Sequence, residues 1–237
     1  MLHFLLGIIS EDFIKKTSIF LLSCLFFGAV IAKAGDQTLS FGYLNVNANG
    51  IKDSVNLMRN DVRKAGDAIT NGFGVPAVVS LDSYANLGGV FMRYRYEITD
   101  DWGIISSLAY STKDYNANAG EEKDRISTKS KVSGDYISLM IGPTYRFNEY
   151  FSIYGLIGGA YKKVSYESRS QEFKNNVLIN SSKNSKSDSK TDLIYGVGMQ
   201  LNFWQNATLD LDLDLGYEQS NGDWKTNAFT IGIGYKF

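Results

Sequence analysis

Apolar and polar residues alternate along much of the chain with a period of two. The clearest stretch is TLDLDLDLGYE, in which the leucines face away from Asp210, Asp212 and Asp214. Because successive side chains of a β-strand point to opposite faces, each such stretch predicts a strand with one apolar and one polar face. The chain ends on another one, FTIGIGYKF, whose apolar row runs through Tyr235 to Phe237.

Eight segments with this alternation, or with the composition of a strand, predict an all-β fold. A soluble sandwich could bury the apolar rows. Their length, their aromatic ends and the mixture of arginine and aspartate in the polar rows instead favour a barrel with lipid outside. We therefore predict an eight-stranded antiparallel transmembrane β-barrel. The segments are Thr38–Val46, Gly89–Glu97, Gly103–Ser111, Tyr136–Phe147, Ser152–Ser165, Asp192–Phe203, Thr208–Glu218 and Phe229–Phe237.

The connections between these segments are of two kinds. Three are short, namely ITDDW, NEY and WQNA, whereas residues 47–86, 112–134, 166–190 and 219–227 form long, mostly polar connections. Short periplasmic turns and long extracellular loops are typical of outer-membrane barrels. The first loop, residues 47–86, is unusually long for such a barrel.

The N-terminal 1–34 segment has the features of a secretory signal peptide. Lys15 and Lys16 precede the apolar run Ser18–Ala32, and Ala32-Lys33-Ala34 matches a cleavage site. A membrane-anchoring helix, or a lipoprotein leader ending at Cys24, is the alternative. Removal of the segment would leave residues 35–237 as the transmembrane β-barrel domain.

The only cysteine and the only histidine of the chain, Cys24 and His3, lie in this leader. Residues 35–237 therefore cannot form a disulfide, a metal site with Cys or His ligands, or a catalytic site based on imidazole. The formal net charge of −1 gives no sign of nucleic-acid binding. We expect no enzyme activity, no catalytic or metal-binding residues and no cofactor.

The charged residues of the polar rows predict an ion-pair network inside the barrel. A calcium site or a catalytic carboxylate pair is the alternative for the aspartates, but alternate residues of a strand lie roughly 7 Å apart, too far to grip one small ion together. Arginine and lysine on other strands offer partners, and a narrow lumen filled in this way is no pore. The predicted network comprises Arg93, Arg95, Arg146, Asp210, Asp212, Asp214 and Lys236.

Several blocks of the chain resemble the Ail/PagC/Lom/OmpX family of small outer-membrane barrel proteins. The blocks are GVFMRYRYE, IGPTYRFNEYFSIYGLIG, YGVGMQLN, LDLGYEQS and the terminal GIGYKF, found at Gly89–Glu97, Ile141–Gly158, Tyr195–Asn202, Leu213–Ser220 and the C-terminus. The resemblance implies a virulence protein in the outer membrane of a Gram-negative bacterium, with its loops outside the cell.

This resemblance also implies a function and a set of partners. Family members are associated with cell adhesion and invasion and with resistance to complement in serum, so host matrix, cell-surface or complement-regulatory proteins are expected partners. Outer-membrane lipids including lipopolysaccharide, and the outer-membrane insertion machinery, are expected in any such barrel. The alternative is a structural barrel with lipopolysaccharide contacts and no host ligand.

Two loops contain candidate binding residues. In the first, Asp53 or Ser54 could cap a helix whose apolar stripe includes Val55, Met58 and Val62. This helix either packs on the barrel's own loops or presents an apolar contact surface. The third loop is rich in lysine and serine, which suits either simple solvation or attraction to sulfated glycans and phosphates. Its candidate residues are Lys183, Lys186 and Lys190.

The C-terminal residues Tyr235 and Phe237 resemble the signal that the insertion machinery reads. Deletion of Phe237 is therefore expected to leave the protein in the periplasm, with a larger effect on assembly than on the stability of protein that has folded. Cell fractionation and surface labelling measure this. Normal surface levels of the deletion variant would contradict the assignment.

Overall fold

The computed structural model describes residues 35–121, 125–148, 150–174, 177–206 and 209–237, with the side chains of residues 73, 203–206, 209 and 210 left out. The proposed signal peptide, residues 1–34, lies outside the described residues. Within the described ranges the chain forms nine strands and one helix. In order they are β1 (Gln37–Ala48), α1 (Asn49–Phe73), β2 (Val78–Leu81), β3 (Leu87–Glu97), β4 (Trp102–Gly120), β5 (Ile126–Asn148), β6 (Phe151–Lys174), β7 (Val177–Asn206), β8 (Leu209–Ser220) and β9 (Thr226–Lys236).

Eight of these strands, all except β2, form a closed antiparallel ring, which confirms the predicted barrel. Each strand pairs with its neighbours in the chain, and β1 closes the ring by pairing with both β3 and β9. The last residue takes part in this closure, because Phe237 and Gln37 exchange two backbone hydrogen bonds of 2.8 and 3.0 Å. Tyr235 stacks on Phe237 beside this seam, with ring centroids 5.9 Å apart.

The ring exposes its apolar rows and buries its polar rows. Phe41, Val90, Leu139, Leu193 and Ile231 are among the outward side chains, each more than half exposed. This outward apolar surface suits lipid as the surrounding medium, since water would leave this area without a partner. Charged residues are instead buried in the lumen.

Four strands continue far beyond the ring. The pairing of β3 with β4 ends at Gly89 and Ser111, and the pairing of β7 with β8 ends at Ile194 and Ser220. Past these levels β4, β5, β6 and β7 remain paired with one another, and β2 joins the edge of β4. We call this part, made of β2 and residues 112–120, 126–134, 163–174 and 177–193, the projecting sheet.

The projecting sheet corrects two predictions. Residues 112–134 and 166–190 are not loops but mainly continuous strand, up to the pairs Ile126 with Glu172 and Lys174 with Val177. Serine, asparagine and lysine have weak strand preference, but pairing with the neighbouring strands overrides that preference. At ~3.3 Å per residue, β7 alone extends roughly 50 Å beyond the ring.

Helix α1 follows β1 directly and begins earlier than predicted. Its first amide, Asn49 N–H, donates to Lys225 O at 3.0 Å, and the preceding residue, Ala48, makes no side-chain cap. Ser54, an expected cap, lies inside the helix and donates to Gly50 O at 2.9 Å. The helix ends at Phe73, and the next residue, Gly74, adopts a left-handed φ of 67° that glycine tolerates readily. No helix among the described residues is long and apolar enough to cross a membrane.

The apolar stripe of α1 packs on the inner face of the projecting sheet. Val55, Met58 and Val62 are buried in one cluster with β4 and β5 residues such as Ala117 and Val132. Of the two alternatives for this helix, the structure supports packing, and these three candidate binding residues offer no exposed contact surface. Burial of apolar area against the sheet is the physical reason, since only this stripe of the helix can satisfy the sheet's apolar inner face.

Serine at positions 55 and 58 is expected to release α1 from the sheet. Each substitution removes a buried apolar side chain and leaves a cavity, at a cost of roughly 2–5 kcal/mol. Limited proteolysis of the folded barrel should then cut within residues 49–73. Leu57→Ser, on a residue that is 64% exposed, is the matched control and should leave the parent's resistance unchanged. Equal resistance of the double variant would show that these contacts do not hold the helix.

Candidate functional site

Arg93 of β3 is the centre of the buried polar network in the barrel. Its guanidinium lies 2.5 Å from Asp214 and 3.2 Å from Glu218, and all three side chains are almost completely buried. It also donates to Ser107 Oγ at 3.2 Å and to Thr230 Oγ1 at 3.0 Å. A buried guanidinium with this many acceptors is stabilised in place, whereas an unpaired one would be very costly.

The two carboxylates have further donors. Asp214 accepts from Tyr154 Oη at 2.8 Å and from Gln200 Nε2 at 3.0 Å. Glu218 accepts from Tyr136 Oη at 3.2 Å. The network therefore crosses the lumen from β3 to β5, β6, β7 and β8, and it fills the interior with hydrogen-bonded side chains.

A second set of pairs lies at the turn end of the lumen. Glu97 lies 2.6 Å from Arg95 and also pairs with Arg146. Asp36, just before β1, lies 3.2 Å from Arg146 and 2.7 Å from Lys236. The structure thus brings together all the predicted basic residues, and it adds two acids that were not predicted, Glu97 and Asp36, as their partners.

The predicted aspartates have different positions. Asp214 pairs with Arg93, and Asp212 is buried in the same lumen. The side chain of Asp210 lies outside the described residues. Sequence reasoning omitted Glu97, Glu218 and Asp36 from the network. The first two stand on the polar rows of predicted strands, so alternation could have found them; Asp36 precedes the first strand and carries no such signal.

Lys162 of β6 is a buried lysine that sequence reasoning did not find. Its ammonium lies 2.6 Å from Asp192, 2.9 Å from Ser220 Oγ and 2.5 Å from Trp224 O. It ties β6 to β7 and to the β8–β9 connection at the mouth of the ring. Glycines in β6 hide which residues face inward, so the sequence pattern gave no signal.

The three candidate lysines of the third loop do not share a face. They lie on β7, where Lys183 points outward and the even-numbered Lys186 and Lys190 point to the opposite face, toward α1 and the barrel mouth. Lys190 lies 3.2 Å from Asp223. Interpreted as a loop, this segment would have placed the three lysines in one basic patch. Because side chains alternate along a strand, the lysines are instead divided between the two faces of the sheet.

Lys183 instead belongs to a row of cations across three neighbouring strands. Arg169 of β6 stands directly opposite Lys129 of β5 on one side and opposite Lys183 on the other. All three side chains are exposed. Among the described residues none of the three forms an ion pair. We call Lys129, Arg169 and Lys183 the basic row.

Two ionisable groups of the projecting sheet have pKa values shifted by their surroundings. The hydrogen bond from Lys131, 2.8 Å away, lowers the pKa of Asp114. Burial raises the pKa of Tyr115, whose hydroxyl donates to Ala85 O at 2.5 Å. Among the described residues no group of three or more His, Cys, Asp or Glu is placed to hold a metal ion.

A closed eight-stranded ring with an apolar exterior, a charged interior and a projecting sheet defines a small outer-membrane barrel protein. Residues 74–237 match the model of a family described as Enterobacterial Ail/Lom protein. The chain belongs to this family, and it is an outer-membrane protein.

Two relatives show the general type of the family. The virulence membrane protein PagC of Salmonella typhimurium is 36% identical over 172 residues, which cover 72% of this chain and 88% of the relative. The attachment invasion locus protein of Yersinia enterocolitica is 35% identical over 150 residues, covering 63% and 72%. These relatives are barrel proteins of the adhesion and virulence type and not enzymes.

A solved structure supports the fold. It is that of Ail, the attachment invasion locus protein of Yersinia pestis, in complex with the heparin analogue sucrose octasulfate. It is 28% identical, covers 86% of this chain and 99% of its own chain, and gives a TM-score of 0.51.

Asp214→Leu is expected to destabilise the barrel by roughly 3–5 kcal/mol, because it leaves the buried Arg93 without its closest counter-ion. Thermal unfolding in detergent micelles measures this as a lowered midpoint. Asp114→Leu is the control, since the Asp114–Lys131 pair is about half exposed and such surface pairs contribute roughly 0–1 kcal/mol. Equal midpoints for the two variants would contradict the central role of the Arg93 network.

Proposed function

We propose that this protein is a surface adhesin that binds sulfated glycans of host cells through the basic row. The observation that carries the proposal is the alignment of Lys129, Arg169 and Lys183 on three adjacent strands. Neighbouring strands are ~4.8 Å apart, so the three Cα atoms lie within roughly 10 Å of one another. A chain of sulfate groups has a matching density of negative charge.

Without a ligand, the three positive charges of the basic row repel one another. Like charges directly opposite in a sheet destabilise the pairing, and among the described residues none of the three forms an ion pair. The neighbouring acid on the same face, Glu167, stands opposite Lys131 one step nearer the barrel. A bound polyanion would remove this repulsion, and the free energy released in this way would add to the free energy of binding. Screening by salt should weaken this attraction, since the row is exposed.

The residues around the row suit the same ligand. One step farther from the barrel, Ser127, Gln171 and Ser181 lie opposite one another on the same outward face. Their hydroxyl and amide groups can donate hydrogen bonds to sulfate oxygens. The Yersinia pestis relative, solved with a heparin analogue, supports sulfated glycans as the ligand class.

Family membership extends the proposal to invasion and to survival in serum. Attachment to a glycan-covered surface brings the bacterium to the host cell, and recruitment of a complement-regulatory host protein protects it there. The other candidate is a structural barrel whose basic residues contact lipopolysaccharide alone. That candidate predicts normal barrel levels and stability but no dependence of adhesion on the basic row.

Replacement of Lys129, Arg169 and Lys183 by glutamine is expected to weaken binding to immobilised heparin. Each exposed charge contact contributes roughly 0.5–1 kcal/mol, so the combined loss is about 10- to 100-fold. The measurement is the dissociation constant at low and at physiological ionic strength, together with attachment of whole cells to host cells and their survival in serum.

A variant with the same loss of charge elsewhere is the control. Lys52, Arg63 and Lys64 are exposed on α1, and their replacement by glutamine should leave binding near the parental level. If the two triple variants bind and adhere equally at equal surface levels, the glycan proposal is wrong and the structural alternative stands.

A further inference from the structure

A cavity lies on the other face of the projecting sheet. It has a volume of about 520 Å³, is partly open to solvent, and lies between the first half of α1, the inner face of β6 and β7, and the β8–β9 connection. A volume of this size lies within the range of small-ligand sites. The helix contributes Gly50, Asp53, Ser54, Leu57, Met58 and Asp61; the sheet and the connection contribute Val164, Tyr166, Lys186, Asp188, Asp223 and Trp224.

The apolar part of the cavity combines aliphatic and aromatic side chains. Met58 and Val164 are buried, and Tyr166 and Trp224 are partly buried. Leu57 stands at the helix side of the opening and is 64% exposed. Leu57, Tyr166 and Trp224 can cover the methylene chain of a long side chain, and an indole face also attracts cations.

The charges around the cavity are mainly negative. Asp53 and Asp61 line it from the helix, Asp188 and Asp223 line it from the facing wall, and Lys186 is the one basic lining residue. Asp223 accepts from Lys190 at 3.2 Å. Among the described residues neither Asp53 nor Asp61 has an ion pair. Lys186 and Lys190 offset two of the four carboxylates, and the cavity keeps a net negative charge.

We propose that this cavity binds a lysine or arginine side chain of a host polypeptide. The aliphatic stem would lie against Leu57 and Trp224, and the cationic end would lie among the helix aspartates. A neutral side chain of the same length would lose the charge interaction, and a sulfated glycan would be repelled. The site therefore adds a protein ligand to the glycan ligand of the basic row and is independent of it.

The aromatic wall is held in place before any ligand arrives. Trp224 O accepts hydrogen bonds from the buried Lys162 at 2.5 Å and from Thr226 Oγ1 at 3.0 Å. The indole packs on the start of α1, where a Cβ added to Gly50 would come within 2.4 Å of the ring. Because these contacts fix Trp224, little ordering is needed on binding, which favours affinity.

The cavity belongs to this chain and not to the family pattern. Its helix side, Gly50 to Asp61, precedes residue 74, where the family match begins. The first long connection thus supplies half of a site, although its apolar stripe is buried. Lys186 takes a role opposite to the one expected from the sequence, because its ammonium opposes a cationic ligand.

The experiment uses the folded barrel in nanodiscs with Trp102 and Trp204 replaced by phenylalanine, so that Trp224 alone reports by fluorescence. The probe is the acetylated, amidated pentapeptide Gly-Lys-Gly-Lys-Gly, and its neutral control has norleucine in place of lysine. Saturable change with the lysine peptide and at least tenfold weaker binding of the norleucine peptide are expected.

Charge variants then test the site in both directions. Asp53→Asn with Asp61→Asn should weaken the lysine peptide about tenfold, whereas Lys186→Gln should tighten it about threefold. Asp100→Asn with Asp101→Asn, in the β3–β4 turn, is the matched control and should match the parent.

The proposal is overturned if both peptides bind equally, if neither binds, or if the Asp53 and Asp61 variant matches its control. Glutamine at Lys129, Arg169 and Lys183 should leave peptide binding intact while heparin binding falls. This pair of readouts separates a failure of the cavity proposal from a failure of the glycan proposal.

Discussion

Every backbone amide and carbonyl that faces lipid must find its hydrogen-bond partner within the protein, and the whole structure depends on this constraint. A closed ring satisfies it, and closure requires the first and last strands of the ring to pair. The exchange of hydrogen bonds between Gln37 and Phe237 completes the seam between β1 and β9. In contrast to a soluble protein, the closed ring has its apolar rows on the outside, against lipid. Charged side chains such as Arg93 therefore lie in the lumen.

Beyond the lipid the constraint is lifted and the sheet opens. The edge strands of the projecting sheet need no partner there because water can satisfy them, and polar residues dominate β7 from Asn180 to Thr191. The inner face is still apolar at Ala117 and Val132, so it needs a cover. Helix α1 provides that cover, and Ile51 packs so closely on Gly134 that a Cβ there would lie 2.7 Å from it.

The sequence predicted those features that follow from a strict alternation of apolar and polar residues in strands surrounded by lipid. The eight ring strands and the inward direction of Arg93 and Asp214 are of this kind. It could not predict that residues 166–190 stay paired, because that pairing depends on a neighbouring strand and not on local preference. The burial of Met58 and Lys162 likewise depends on tertiary contacts between elements that are distant in sequence. The alternation of residue types along the chain does not specify those contacts.

The same period of two separates the two proposed binding sites. A sheet is one layer thick, so Lys183 and Lys186, three residues apart on β7, point away from each other and experience opposite surroundings. The outer face gathers cations from three strands, and the inner face meets the carboxylates of α1. If β7 were a flexible loop, its lysines could pair with the carboxylates of α1 and neutralise them, since side chains on a mobile chain can meet freely. Rigid strand structure keeps them apart, so one thin sheet can attract an anionic glycan on one face and a basic protein segment on the other.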